Sequence, residues 1–254
     1  MRWLAVLLIM LAAPLAAQDQ GLDARAIIER GVAAHGGTRW LEPGTLILSG
    51  HATFYAPDSD IARSHADDYR MWREMDPART SAHGADGKVR IIARAGERTL
   101  FEVGYDGETT WTQDGIMPKA QADAYWASNF GFGIIRSALN DGFTLERAPS
   151  RDVGGHLIDL VRVIDPQGQA TLFGFDRLTG FIRYMAFDSP RGFHERHYDD
   201  FTTLETGPGA GWVQARVVTL YYDGVKSNTV YWAEVAVGEA IEPSVFMPPA
   251  KENE

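Results

Sequence analysis

The fold class predicted is α+β: one strongly curled antiparallel β-sheet, a half-barrel of about 11 strands, closed by an N-terminal helix and a helical insertion. Three observations carry this. Short runs rich in β-branched and aromatic residues follow one another from Thr45 to Val237. Asp-Gly pairs at 86–87, 106–107, 114–115, 141–142 and 223–224 suit the positive-φ turns that join antiparallel neighbours. A sheet of that many strands does not stay flat and open, so it must curl or close, and its concave apolar face must then be filled.

In chain order, Leu22 to Gly37 predicts a helix. Asp23 is its N-cap, Leu22 and Ile27 form a hydrophobic staple, and Gly36-Gly37 is a left-handed stop. Strands are expected at 45–55, 66–75, 88–95, 98–105 and 108–113. Residues 118–141 interrupt them. Ala120, Ala122, Ala124, Tyr125 and Trp126 favour helix, Asn129 to Gly133 weaken it, and Ile134–Leu139 resumes it. Two short helices with a flexible Gly-rich joint are therefore expected. Strands return at 157–164, 170–175, 181–187, 193–204, 212–222 and 228–237, with Gly207-Pro208-Gly209-Ala210-Gly211 as a plain break.

Residues 1–17 read as a secretory signal peptide. Met1, Arg2 and Trp3 lead into the apolar run Leu4 to Ala13, and Pro14, Leu15, Ala16 and Ala17 give a small-residue exit with cleavage expected after Ala17. The run is too short for a bilayer span, which takes about 20 residues. Residues 18–254 are expected to form a single domain. The chain contains no cysteine, which excludes disulfides, thiolate metal sites, cysteine nucleophiles and a lipid-modified N-terminus. Its net charge of −10, from scattered acidic residues, disfavours nucleic acid and anionic headgroups as non-specific partners.

No Gly-x-Ser-x-Gly elbow and no phosphate loop is present. Gly131-Phe132-Gly133 with Arg136 lacks the third glycine of a dinucleotide fingerprint and follows a helix where that motif follows a strand. His194-Glu195-Arg196-His197 is the densest titratable cluster, but on a strand residues three apart face opposite ways, so its two histidines cannot share one metal ion. Glu195, His197 and Asp199 would share a face, which makes them the candidate acid–base set for an enzyme reading. No catalytic residue, metal site or cofactor is assigned. Aromatic residues make up 11% of the chain. Phe101, Trp111, Tyr125, Trp126, Phe130, Phe132, Phe173, Phe175 and Tyr184 are the candidate walls of an apolar ligand cavity, with the insertion as its lid.

Several segments together resemble a known group. They are Ala34-His35-Gly36-Gly37, Thr45-Leu46-Ile47-Leu48-Ser49-Gly50, and Gly104-Tyr105-Asp106-Gly107-Glu108-Thr109-Thr110-Trp111. Phe175-Asp176-Arg177-Leu178-Thr179-Gly180-Phe181-Ile182-Arg183, His197-Tyr198-Asp199-Asp200-Phe201 and Ile241-Glu242-Pro243-Ser244-Val245-Phe246 complete the set. The arrangement resembles the LolA-like superfamily, exported proteins related in shape to the carriers and outer-membrane receptors of bacterial lipoproteins. The resemblance implies a curled half-barrel closed by helices over an apolar cavity, a periplasmic location, and a lipid or acylated molecule as partner. It carries over no individual site residue. The expected function is non-enzymatic binding or carriage of an apolar ligand, linked to lipid or lipoprotein trafficking. The alternative is an envelope protein-recognition or stress-sensing module with another polypeptide as partner.

Overall fold

The computed structural model describes residues 21–57, 59–129 and 131–248; the expected signal peptide and Phe130 lie outside the described residues. The chain begins with helix α1 (Ala24–His35), whose first turn is capped by Asp23, the carboxylate accepting from the Ala26 N–H at 2.8 Å. Gly36 and Gly37 take positive φ, and the Gly37 N–H returns to the Val32 carbonyl at 2.9 Å, as a helix stop requires. The helix is shorter than the predicted 22–37, and a second turn, α2 (Thr38–Leu41), follows it. Gly31 is needed where α1 meets the sheet, because a Cβ there would lie 2.4 Å from the Phe175 ring.

Among the described residues, thirteen strands form one open antiparallel sheet. The first meander is β1 (Thr45–Tyr55), β2 (Ala62–Glu74), β3 (Lys88–Ala95), β4 (Arg98–Tyr105), β5 (Thr110–Thr112) and β6 (Gly115–Ile116). The second is β7 (Thr144–Val153), β8 (His156–Ile164), β9 (Ala170–Asp176), β10 (Ile182–Ser189), β11 (Gly192–Thr203), β12 (Val213–Tyr222) and β13 (Val225–Val237). Their spatial order is β6-β5-β4-β3-β2-β1-β13-β12-β11-β10-β9-β8-β7, so the first and last strands pair at the centre and β6 and β7 lie at opposite edges. The segment joining β6 to β7 must therefore cross the sheet. It carries helix α3 (Lys119–Asn129) and a 3-10 helix (Phe132–Arg136), the two helical pieces predicted at 118–141.

Two strands exceed the predicted count of 11. β6 is only two residues long. β7 is an edge strand whose charged residues and Pro149 hide its periodicity, with a register shift between Ala148 and Arg151 absorbing the proline. Of the five Asp-Gly pairs, Asp223-Gly224 makes the expected two-residue hairpin, with φ of +49° and +78°. Asp86-Gly87 makes none. Instead, the Asp86 carboxylate is buried between Arg73 and Arg79, at 2.8 and 2.5 Å.

Most buried apolar residues form one core on the concave face. A smaller cluster, Ile158, Leu160, Tyr184 and Ala186, is buried on the outer face of β8 and β10. Those strands are covered on both sides, which is why residues 157–164 show no clean alternation. Gly131 and Gly133 are close-packing positions here, in place of the flexible joint predicted. A Cβ on Gly131 would lie 2.7 Å from Phe187, and one on Gly133 would lie 2.4 Å from an Arg79 guanidinium nitrogen. Gly133→Ala is expected to cost about 1–3 kcal/mol in urea unfolding, because that guanidinium is pinned and cannot yield.

Candidate ligand-binding cavity

Helix α3 ends over the middle of the sheet, and a helix end leaves carbonyl groups without intrahelical donors. β11 and β12 supply donors. The His194 Nδ1–H donates to the Ser128 carbonyl at 2.8 Å, and Arg196 donates to the Asn129 carbonyl at 2.5 Å. The Tyr222 hydroxyl lies 3.0 Å from Ser128 O and 3.1 Å from Asn129 Oδ1. A cation at this end also complements the helix dipole. At the other side, the Trp126 indole N–H donates to Thr110 Oγ1 at 2.8 Å and ties α3 to β5. The insertion is thus a strap fixed at both sides of the sheet.

His194 is buried and stacks on Phe187 with ring centroids 4.4 Å apart. Its Nδ1 donates, so Nε2 carries no proton, and no donor reaches it among the described residues. Burial, reinforced by the Arg196 charge, pulls its pKa down to about 2. His35, the last residue of α1, is also buried and neutral. Its Nε2 accepts from the Ile182 N–H at 2.9 Å, leaving Nδ1 to donate to the Val213 carbonyl at 3.3 Å. Burial pushes its pKa down to about 4. This histidine joins α1 to two strands.

Beneath the strap lies a cavity of about 960 Å³, at the upper end of the ~300–1,000 Å³ usual for ligand pockets. Its floor is formed by β1, β2, β12 and β13, with Leu48, Met71, Val218, Leu220, Val230 and Trp232 among the wall residues. Wall residues occur from Val213 to Tyr222 along β12, so the cavity follows nearly that whole ten-residue strand, a length of about 30 Å at ~3.3 Å per residue. Exposed Pro57, Arg63, Gln121, Pro190 and Arg191 mark the mouth, while Trp40, Phe201 and Trp212 close the end beside α1. β11 is re-aimed at Asp200, which has φ of +51° while the pairing with β12 keeps its register; the inward residues are Arg196 and Tyr198 before it and Phe201 after it.

The charged groups of the wall are of one sign. Arg63, Arg73, Arg136, Arg191, Arg196 and Lys226 line the cavity, and no aspartate or glutamate does among the described residues. Arg136 donates through Nε to the Trp40 carbonyl at 2.8 Å, and its guanidinium lies 4.7 Å from the Trp40 ring and 5.4 Å from that of Trp212. Burial, together with the nearby Arg73 charge, lowers its pKa to about 9. Burial raises the Tyr69 and Tyr198 hydroxyls to about 12, with Arg196 opposing.

Of the nine predicted wall residues, Phe101, Tyr125 and Phe132 line the cavity. Trp126 is buried against Tyr105 and Thr110 as an anchor of the strap. Trp111 lies on the outer face, in the space left by Gly104, and its indole N–H donates to the Phe246 carbonyl at 2.8 Å. Phe173 and Phe175 face inward but are covered, Phe173 by Phe132 and Phe175 by α1 at Gly31. Tyr184 is on the outer face and donates to Glu195 Oε1 at 2.7 Å. For Phe173 and Phe175 the physical reason is shared: α1 and the 3-10 turn fill the concave face over β8 and β9, leaving the cavity open over the strands from β4 through β1 and β13 to β11. Phe130 lies outside the described residues.

The wall residues that sequence reasoning missed include Arg136, Arg196, Trp40, Tyr198, Trp212 and Trp232. Period-2 alternation already placed His194, Arg196 and Tyr198 on one face. No sequence signal said that this face was the inner one. Glu195 and His197 lie on the outer face with Tyr184, and Asp199 pairs with Arg183 at 2.8 Å, so the candidate acid–base set is separated from the cavity by the sheet. No group of residues suited to a metal ion, and no helix long and apolar enough to cross a membrane, occurs among the described residues.

Sheet, strap and cavity together form a curled half-barrel whose fold is similar to solved LolA-superfamily structures. The fold is similar to a domain from Vibrio parahaemolyticus assigned to outer-membrane lipoprotein sorting, with a TM-score of 0.53 and 11% identity over 87% of this chain and 94% of that one. A LolA superfamily protein from Nitrosomonas europaea gives 0.51 and 12%, over 89% and 98% of the two chains. A DUF1329 family protein from Desulfovibrio piger gives 0.57 and 7%, again over 89% and 98%. No protein-family model and no curated protein sequence matches the chain.

Proposed function

We propose that this is an exported carrier or binding protein, working in the periplasm as residues 18–254 after removal of its leader, that holds an acyl chain or similar apolar group under the strap. The observation that carries this reading is the cavity itself, about 960 Å³ and walled mainly by apolar side chains beneath a strap anchored on both sides. Burying a chain of a dozen methylenes contributes on the order of 10 kcal/mol at ~0.8 per CH₂, less the cost of ordering it. Carriage needs no bond-making chemistry, in keeping with an inner wall that holds no carboxylate among the described residues.

The test is native mass spectrometry of the exported protein purified without detergent, followed by solvent extraction. A discrete added mass that extracts as a lipid is expected. Val218→Trp, which places an indole in the cavity from β12, is expected to abolish that mass while leaving the circular dichroism spectrum unchanged. A clean apo mass with no uptake of added fatty acid or phospholipid would remove this reading and leave polypeptide recognition in its place.

A further inference from the structure

The cavity is more selective than its apolar area requires. The chain carries 34 acidic residues against 24 lysines and arginines, yet among the described residues every acid is kept off the cavity wall and six basic residues are placed on it. The excess is deepest at the far end from the mouth. Arg73 and Arg79 share the single carboxylate of Asp86. Arg136 lies close enough to feel all three of those charges, and no carboxylate pairs with it among the described residues. Arg196 is placed similarly and donates to the Asn129 carbonyl. The contiguous contacts Trp40, Arg136, Phe132 and Tyr198 connect the two guanidinium groups along one wall.

A desolvated guanidinium is costly unless a partner neutralises it. Among the described residues Arg136 donates to the protein through Nε alone, and its fixed fork of donors matches a planar or tetrahedral anion. Trp40 and Trp212 hold that fork in place. We propose that the ligand is a single-chain anionic amphiphile whose carboxylate or phosphate headgroup is bound by Arg136, with its apolar tail running along β12 toward the mouth. This rests on the reading of the cavity as a ligand site and adds the charge and orientation of the ligand. Arg196, half-way along the wall, supplies the second cation of the headgroup field.

Laurate, dodecyl phosphate and dodecan-1-ol share one tail and differ only in the head. Titration of each into delipidated protein, followed by tryptophan fluorescence from Trp40, Trp212 and Trp232, separates head from tail. Both anions are expected to bind at least tenfold tighter than the alcohol, and the tighter of the two names the headgroup. Arg136→Gln is expected to lose that tenfold while leaving the alcohol within about twofold, Arg136→Lys to retain part of it, and Arg216→Gln, an exposed residue of β12 off the cavity wall that pairs with Asp200, to change nothing. Equal binding of anions and alcohol by the wild-type protein would overturn the proposal, and this comparison needs no variant to fold. A preference that survives intact in Arg136→Gln would also overturn it. If neither the anions nor the alcohol binds, the cavity reading itself fails, which is a distinct result.

Discussion

Asp86→Ala lowers the unfolding free energy by about 3–5 kcal/mol, the cost of removing one partner from a buried ion pair. Asp86 is the only carboxylate in contact with Arg73 and Arg79 among the described residues, and both guanidinium groups are buried with it. Burial by itself would raise the Asp86 pKa, but the two arginines outweigh it and hold the group ionised. Without that carboxylate, Arg73 and Arg79 confront each other with Arg136 and Arg196 nearby. Against a typical total stability of 5–15 kcal/mol, the loss is a large fraction. Urea denaturation at pH 7 measures it. Asp123→Ala, which removes an exposed i,i+4 pair with Lys119, is the control and should change stability by less than about 0.5 kcal/mol. Comparable losses in both variants would show that the buried cluster contributes nothing special.

Acidification from pH 6.5 to 5 destabilises the protein before its depressed carboxylates are protonated. His35 and His194 are neutral in the folded state with pKa values near 4 and 2, against 6.5 for an unperturbed histidine, and burial is the leading cause in each. The unfolded chain therefore takes up protons below pH 6.5 that the folded chain refuses. Stability is full above pH 6.5 and falls as the pH drops toward 4. His35 by itself accounts for about 3 kcal/mol across that window, at ~1.4 kcal/mol per unit. His194 adds to the loss in the same direction, and protonation of its Nε2 would place an unpaired cation under the strap. A second loss follows at lower pH. Asp86, Asp159 and Asp176 have depressed pKa values, because their arginine and backbone partners outweigh burial, and their contribution disappears as the pH falls through those values. In His35→Gln, the slope of stability against pH between 5 and 6 should fall by about one proton, ~1.4 kcal/mol per unit. An unchanged slope would show that His35 titrates normally in the folded protein.

Much of the fold was legible residue by residue. Asp23 and Gly36-Gly37 bound the first helix because capping is local chemistry, and Asp223-Gly224 turned where its backbone preference said. The break at Pro118 and the weakness around Gly131 announced the two-part insertion. β7 was missed because an edge strand buries little, so selection for alternation is weak there, and Pro149 sits at an irregularity in its pairing. Asp86-Gly87 misled because the turn propensity of Asp-Gly is local, while the carboxylate's use as a counterion to Arg73 and Arg79 arises only when β2 and the loop before β3 meet.

The candidate site was legible only in its lid. Tyr125 and Phe132 lie on the side of the insertion that faces the cavity, whereas Lys119 and Asp123 on its other side face solvent. The strand aromatics were not separable, since a strand states which residues share a face and not which face lies inside. That is why Phe101 lines the cavity while Trp111 and Tyr184 lie on the outer surface of the same sheet. By itself the sequence determined the elements, their antiparallel order and the presence of a curled face that something must fill, because caps, turns and period-2 alternation act over a few residues. Only the tertiary structure decided which side of each strand faces inward, and that the cationic wall of Arg136 and Arg196 gathers there with no described acid on it. Those outcomes depend on the closure of β1 against β13 and the crossing of the strap, contacts between residues far apart in the chain.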